Sequence, residues 1–173
     1  MPYISGTMRS KRDDPDDPWW FKHFFAEELR LRDEGVTDIS NPARIDMEQD
    51  GFDPLHPENA QELDMAHYAQ RDMDEIIAQK GLVRLRGWEE SMGAKAECAI
   101  AQWLKKPISD APEPTPEMLA RAEAEIQKVR EAYAELQRKK RAHSDACVAD
   151  MSVHEKAKCC SHNLDACFGM HEE

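Results

Sequence analysis

"GWEESMGAKAECAIAQWLKKPI", residues 87–108, reads as a loop, a helix and a short strand, and it frames the rest of the chain. Gly87, Ser91 and Gly93 crowd the entrance to a helix expected from about Gly93 to Lys105. Glu89 and Glu90 precede it, and Glu97 lies about one turn inside. A helix start needs only one capping oxygen, which serine supplies well. The extra small residues leave first-turn backbone donors open, which suits a bound anion as well as a cap. After the helix, "KPIS" at 106–109 is a brief strand.

Moving toward the N-terminus, Gly81 ends one helix and "LVRLR" at 82–86 supplies a strand. The helix before it is expected from about Pro57 to Gln79, with Leu63, Ala66, Met73, Ile76 and Ile77 as its apolar stripe. Residues 46–58 read as irregular. "VTDISNP", 36–42, is expected to be a short strand that stops before Pro42. From Trp19, "WWFKHFFAEELRLRDEG" has helical apolar spacing and a glycine stop at Gly35. Trp19, Trp20, Phe21, Phe24 and Phe25 on that helix suit a core or a subunit interface. "YISGTM", 3–8, begins as a strand and breaks at Gly6, ahead of the charged loop "RSKRDDPDDP". Strands alternating with helices imply an α/β fold: a small doubly wound, Rossmann-like parallel sheet.

Beyond residue 108 the composition changes. "DAPEPTPE" is a proline-rich hinge in which Thr115 can cap a helix and Pro116 can occupy its first turn. Residues 117–141 are rich in Ala, Glu and Arg, with a thin apolar stripe, and read as a helical extension. The expected organisation is therefore a domain at 1–108, a linker and C-terminal helix at 109–141, and a cysteine-rich tail at 142–173. The tail carries Cys147, His154, Cys159, Cys160, His162 and Cys167. These are zinc-type ligands, yet no CxxC pair is present, and a polar tail explains them equally well. We assign no metal site. An odd total of five cysteines without an export signal argues against a disulfide scaffold.

The 173 residues carry 35 Asp and Glu against 23 Lys and Arg, a formal charge of −12. Such a surface repels a nucleic-acid polymer but leaves room for a small anion held by local donors. No run of about 18 apolar residues occurs, so a membrane span is not expected. The expectation is a cytoplasmic protein.

Four stretches in this order carry a resemblance: "YISGTM" at 3–8, "FFAEELRLRDEGVTDISNPA" at 24–43, "AQRDMDEI" at 69–76 and "RGWEESMGAKAECAIAQWLKKPI" at 86–108. Together they resemble the nucleoside 2-deoxyribosyltransferase-like superfamily, and within it small bacterial and phage proteins of the DUF4406 type. The resemblance implies cleavage or exchange of the N-glycosidic bond of a nucleoside or nucleoside 5'-monophosphate, without a cofactor. It places the acidic nucleophile on Glu97, a sugar- or base-orienting carboxylate on Asp72, and an orienting hydroxyl on Tyr3. It matches Ser91 to a phosphate-holding serine, and it implies a homodimer. The chain departs from the pattern at Gln79, Lys80 and Gly81, where an aspartate usually precedes the second strand.

Each position also has a simpler reading. Glu97 fits a solvent-facing helix residue, Asp72 a surface carboxylate paired with Arg71, and Tyr3 an ordinary strand aromatic. Ser91, Gly93 and Ala94 fit a cap and turn as well as an anion grip, because both use the same free amides. Gly87 and Trp88 can wall a sugar or base pocket or plug a core. Ser5, Gly6 and Met8 complete the expected substrate-binding set as the first loop. Arg9, Lys11 and Arg12 could close over a phosphate or remain a solvated cluster. Cys98 reads as a small buried residue.

Overall fold

A computed structural model of the protein describes residues 2–8, 20–54 and 65–150, with backbone alone at 20, 65 and 145–150. Strands β1 (Pro2–Ser5), β2 (Gly81–Arg84) and β3 (Ile108–Asp110) form one parallel sheet in that order. Tyr3 pairs with Leu82, Ile4 with Val83, and Leu82 in turn with Ile108. Parallel neighbours need crossover connections. Helices α1 (Trp20–Asp33), α2 (Pro42–Glu48) and α3 (Met65–Ala78) lie between β1 and β2, and α4 (Met92–Trp103) lies between β2 and β3. Helix α5 (Pro116–Asp150) follows the sheet.

Neighbouring side chains on a strand point to opposite faces, and the core divides accordingly. Ile4 and Leu85 enter one cluster with Phe21, Phe24, Phe25 and Leu31 of α1, Met47 of α2, and Ala122, Ile126 and Val129 of α5. Tyr3 and Leu82 enter the other with Ile76 of α3 and with Cys98 and Ala101 of α4. Helices on both faces of a parallel sheet are the expected α/β architecture. The aromatic residues 21, 24 and 25 are buried in their own domain.

Helix α1 ends as its sequence requires. Gly35 has φ 84°, Gly35 N donates to Arg32 O at 2.9 Å and Val36 N to Leu31 O at 3.0 Å, a Schellman termination. Glu28 of α1 is buried, and its carboxylate accepts from Asn41 Nδ2 at 2.7 Å and Arg44 Nε at 2.9 Å. Arg44 also reaches Glu125 at 2.9 Å, so one guanidinium ties α1, α2 and α5 together. Each carboxylate in this cluster has a charged partner, which is what makes its burial tolerable.

The structure corrects two sequence expectations. The segment 36–42 is not a strand: it contributes a single bridge between Ser40 and Tyr3. Pro42 does not end an element but opens α2, whose last residues, 46–48, fall in the stretch read as irregular. Asn41 caps that helix by accepting from Ala43 N at 3.0 Å and Arg44 N at 3.3 Å, and proline at the first position needs no amide partner. For the third helix, residues 55–64 fall outside the described residues, and the described helix begins at Met65.

Thr115 Oγ1 accepts from Met118 N at 3.3 Å and so caps α5 as expected. The helix continues through residue 141 to Asp150. Contacts group Met1–Tyr133 into one unit and Ala134–Glu173 into a second. Within the second, Glu135 pairs with Arg138 at 2.9 Å and Lys139 at 3.8 Å along the helix. Among the described residues, no helix is long and apolar enough to cross a membrane.

Candidate functional site

Glu97 lies on α4, the helix packed over the sheet face that Tyr3 occupies. Residues i and i+2 of a strand share a face, so Ser5 points the same way as Tyr3. Both hydroxyls reach the Glu97 carboxylate. Tyr3 Oη donates to Oε1 at 3.2 Å, and Ser5 Oγ donates to Oε2 at 2.5 Å. Tyr3 and Ser5 are fully buried, while Glu97 is partly exposed.

Burial pushes the Glu97 carboxyl up to about 7 and the nearby Asp72 charge adds to the rise, while the bonds from Ser5 and Tyr3 oppose it. Burial, and then the Glu97 charge, holds the Tyr3 phenol well above its ordinary range. Tyr3 therefore remains a proton donor at any ordinary pH. The result is a carboxylate that changes charge near neutrality, gripped at both oxygens.

Asp72 is held by Arg71, which lies 3.1 Å from its Oδ1. The same guanidinium meets Asp46 and Asp50, each at 2.7 Å, and stacks 5.1 Å from the centroid of Tyr68. Burial raises Asp72, with the Arg71 charge opposing. Asp46 rises by burial to about 6 despite the same guanidinium. Asp72 is thus paired with Arg71, yet its charge still acts on Glu97 and Tyr3.

The loops after β1 and β2 form the rim. Thr7 Oγ1 donates to Gly87 O at 2.5 Å and clips them together. Gly87 has φ 78°, a left-handed conformation natural to glycine. Trp88 opens a single 3₁₀ turn at Trp88–Glu90, packs against the Tyr3 cluster, and carries Arg84 4.7 Å from its ring centroid. Arg84 itself is bound by Asp110 at 2.8 and 2.9 Å. Ser91 caps α4 by accepting from Ala94 N at 3.2 Å. The amides of Met92 and Gly93 have no helix carbonyl within bonding range by virtue of their first-turn position. Gly93 is exposed, and a Cβ there would meet nothing nearer than Ser91 Oγ at 3.7 Å.

Of the residues expected from sequence, the structure brings Tyr3, Ser5 and Glu97 into contact and Asp72 within electrostatic reach. Gly87, Trp88, Ser91, Gly93 and Ala94 lie along the approach to the same helix. Gly6 packs between strands and α1: a Cβ there would lie 2.9 Å from Leu85 Cδ1 and 3.0 Å from Phe24 Cζ. Met8 packs against the opposite core, beside the α1 cluster, and is not brought to Glu97. Sequence reasoning missed Thr7, for which no signal exists beyond a hydroxyl in the loop. It also missed Asp46, although Asn41-Pro42 is a helix-start signature that could have placed it on a helix. Arg9, Lys11, Arg12, His154, Cys159, Cys160, His162 and Cys167 lie outside the described residues. Among the described residues, no group of three or more His, Cys, Asp or Glu side chains is arranged to hold a metal ion.

Comparison with known proteins adds a family and no individual relative. Neither a curated protein nor a solved structure matches the chain. Residues 2–110, which span the whole sheet and every residue of the Glu97 site, match the domain of unknown function DUF4406, and the chain belongs to that family.

Proposed function

We propose that the protein cleaves the N-glycosidic bond of a ribo- or deoxyribonucleoside 5'-monophosphate, with Glu97 as nucleophile. The observation that carries this reading is the carboxylate itself, partly buried and hydrogen-bonded at both oxygens, where burial pushes its pKa up to about 7. Loss of the base develops positive charge on the sugar, and a carboxylate below the anomeric carbon attacks or stabilises it. Asp72 is the substrate positioner, bonding a sugar hydroxyl or the base. Tyr3 orients Glu97. Ser91, with the Met92 and Gly93 amides, grips the phosphate, and Gly87 and Trp88 wall the pocket. The chemistry requires no cofactor.

Incubating the protein with a panel of ribo- and deoxyribonucleoside 5'-monophosphates tests this reading by chromatography. Release of free base by the parent but not by Glu97→Gln is the expected result; no release across the panel sinks it. The same carboxylate serves base exchange if a second base, in place of water, meets the glycosyl intermediate. Nucleosides with an acceptor base separate that deoxyribosyltransferase activity from hydrolysis. Ligand binding without turnover, unaffected by Glu97→Gln, would instead mark a non-catalytic binding or interaction module.

We also propose a homodimer, through a surface different from the aromatic helix. Residues 21, 24 and 25 of α1 are buried within the domain, whereas α3 exposes Ala66, Ala69, Met73 and Ile77 at helical spacing. Helix α4 exposes Met92, Ala96, Ala99 and Trp103 in the same way. Adjacent stripes of this kind favour pairing with a second copy.

A further inference from the structure

The two oxygens of Glu97 are unequally held. The 2.5 Å contact from Ser5 Oγ to Oε2 lies at the short end for a hydroxyl donating to an ionised oxygen. The 3.2 Å contact from Tyr3 to Oε1 is looser. Resting on the glycosidic reading above, we propose that Ser5 is a positioning residue for Glu97: its hydroxyl anchors Oε2 and thereby presents Oε1 to the anomeric carbon. Ser5 then acts through Glu97 and never touches the substrate.

The surroundings of Ser5 suit this role. Its side chain is fully buried, and its carbonyl accepts from Leu85 N at 2.7 Å, which fixes the end of β1. Gly6 follows, where a Cβ would lie 2.9 Å from Leu85 Cδ1 and 3.0 Å from Phe24 Cζ, so a larger residue could not follow Ser5 without displacing them. Ser5 and Tyr3 both arrive as donors. A carboxylate accepts from the two at once, whereas a carboxylic acid must turn its own proton toward one of them. The clamp therefore selects the ionised form. It does so against burial and against Asp72, which faces the site from α3; Cys98, next on α4, is buried in the Tyr3 cluster, and its thiol also hydrogen-bonds with Ser5 and feels the Arg84 charge.

In the reaction, Oε1 bonds to C1′ while the C1′–N bond breaks and the base leaves with the bonding pair. The base takes a proton from water. The hydroxide so formed attacks C1′, and the ester bond breaks to restore the carboxylate. Ser5 keeps its proton and its bond to Oε2 throughout.

The ¹³C shift of the Glu97 carboxyl carbon, assigned by its loss in Glu97→Gln, gives a titration midpoint without any need for turnover. We expect a midpoint near 7 in the parent protein. Ser5→Ala should raise it to about 8 or above, since a charge-assisted bond is worth roughly one pH unit or more. Ser5→Cys, close in volume but a poor donor, should do the same and guards against a packing defect. An unchanged midpoint in the folded variants overturns the proposal. Where turnover is present, Ser5→Ala should lower kcat with little change in KM at a pH above the raised midpoint. A rise in KM alone would mean that Ser5 contacts substrate, and would also overturn it. Failure of the parent to release base sinks the hydrolase reading but leaves the titration intact, so the two failures are distinguishable.

Discussion

Glu97→Gln should change how folding stability depends on pH, and the structure sets the size of the change. The Glu97 carboxyl titrates at about 7 in the folded protein against an ordinary value of 4.5. Because the folded value is raised, the folded state holds the proton more tightly than the unfolded chain. Stability contributed by the protonated group is fully present below about pH 4.5 and declines as pH rises, with the loss complete above about pH 7. The gap of about 2.5 pH units, at roughly 1.4 kcal/mol each, corresponds to about 3 kcal/mol. Glutamine cannot ionise, so the variant should gain about 3 kcal/mol relative to the parent between pH 4.5 and pH 8. Urea denaturation of both proteins across that range measures the difference. Taking the difference cancels Asp46, which titrates in both proteins, and any constant cost of replacing a carboxylate oxygen by an amide nitrogen. Parallel stability profiles would contradict a raised Glu97 pKa. They would mean that Glu97 ionises in the folded protein as it does in the unfolded chain, so that burial and Asp72 do not outweigh the bonds from Ser5 and Tyr3.

Activity should follow the same ionisation: kcat/KM for base release falls about tenfold per pH unit below about 7, and Glu97→Gln lowers it by a factor on the order of 10⁴ or more. Gly6→Ala and Gly87→Ala should destabilise for different reasons. The first places a methyl 2.9 Å from Leu85 Cδ1, an overpacking cost of about 1–3 kcal/mol that Leu85→Ala partly relieves in the double variant. The second meets no neighbour within 4 Å, so only its left-handed φ of 78° is penalised, at about 1 kcal/mol, and no neighbouring truncation rescues it. Arg71→Met strips the counter-charge from Asp46, Asp50 and Asp72, and should cost about 3–5 kcal/mol at pH 8. The loss should shrink at pH 5, where Asp46, raised by burial, can protonate; equal losses at the two pH values would count against a charge effect. Ile77→Asp and Trp103→Asp, on exposed positions of α3 and α4, should convert a dimer to a monomer in sedimentation while leaving the fold intact.

Much of the scaffold was legible because periodicity reports burial. Alternation in "YIS" puts Tyr3 and Ile4 into different cores, and helical spacing in α1 buries Phe21, Phe24, Phe25 and Leu31. Thr115 and Pro116 marked the start of α5 for a local reason, since a cap bonds the amides beside it in sequence. Asn41-Pro42 carries the same local signature: Asn41 accepts from Ala43 N and Arg44 N at the start of α2. Ser5 has the parity of Tyr3 on β1, which puts it on the face of α4.

Local pattern carried the alternation of strands with helices and the cap of α5, because each depends on neighbours within a few positions, but it also suggested a strand at 36–42 that is only a single bridge. Tertiary structure alone decided that Ser5 and Tyr3 grip opposite oxygens of Glu97, that Arg71 gathers carboxylates from two helices, and that Met8 turns to the other core. The pKa of Glu97 belongs to the same class. Its burial and its donors come from β1, α3 and α4, separated by up to 94 residues, and no local pattern encodes the dielectric that those elements create when they close together.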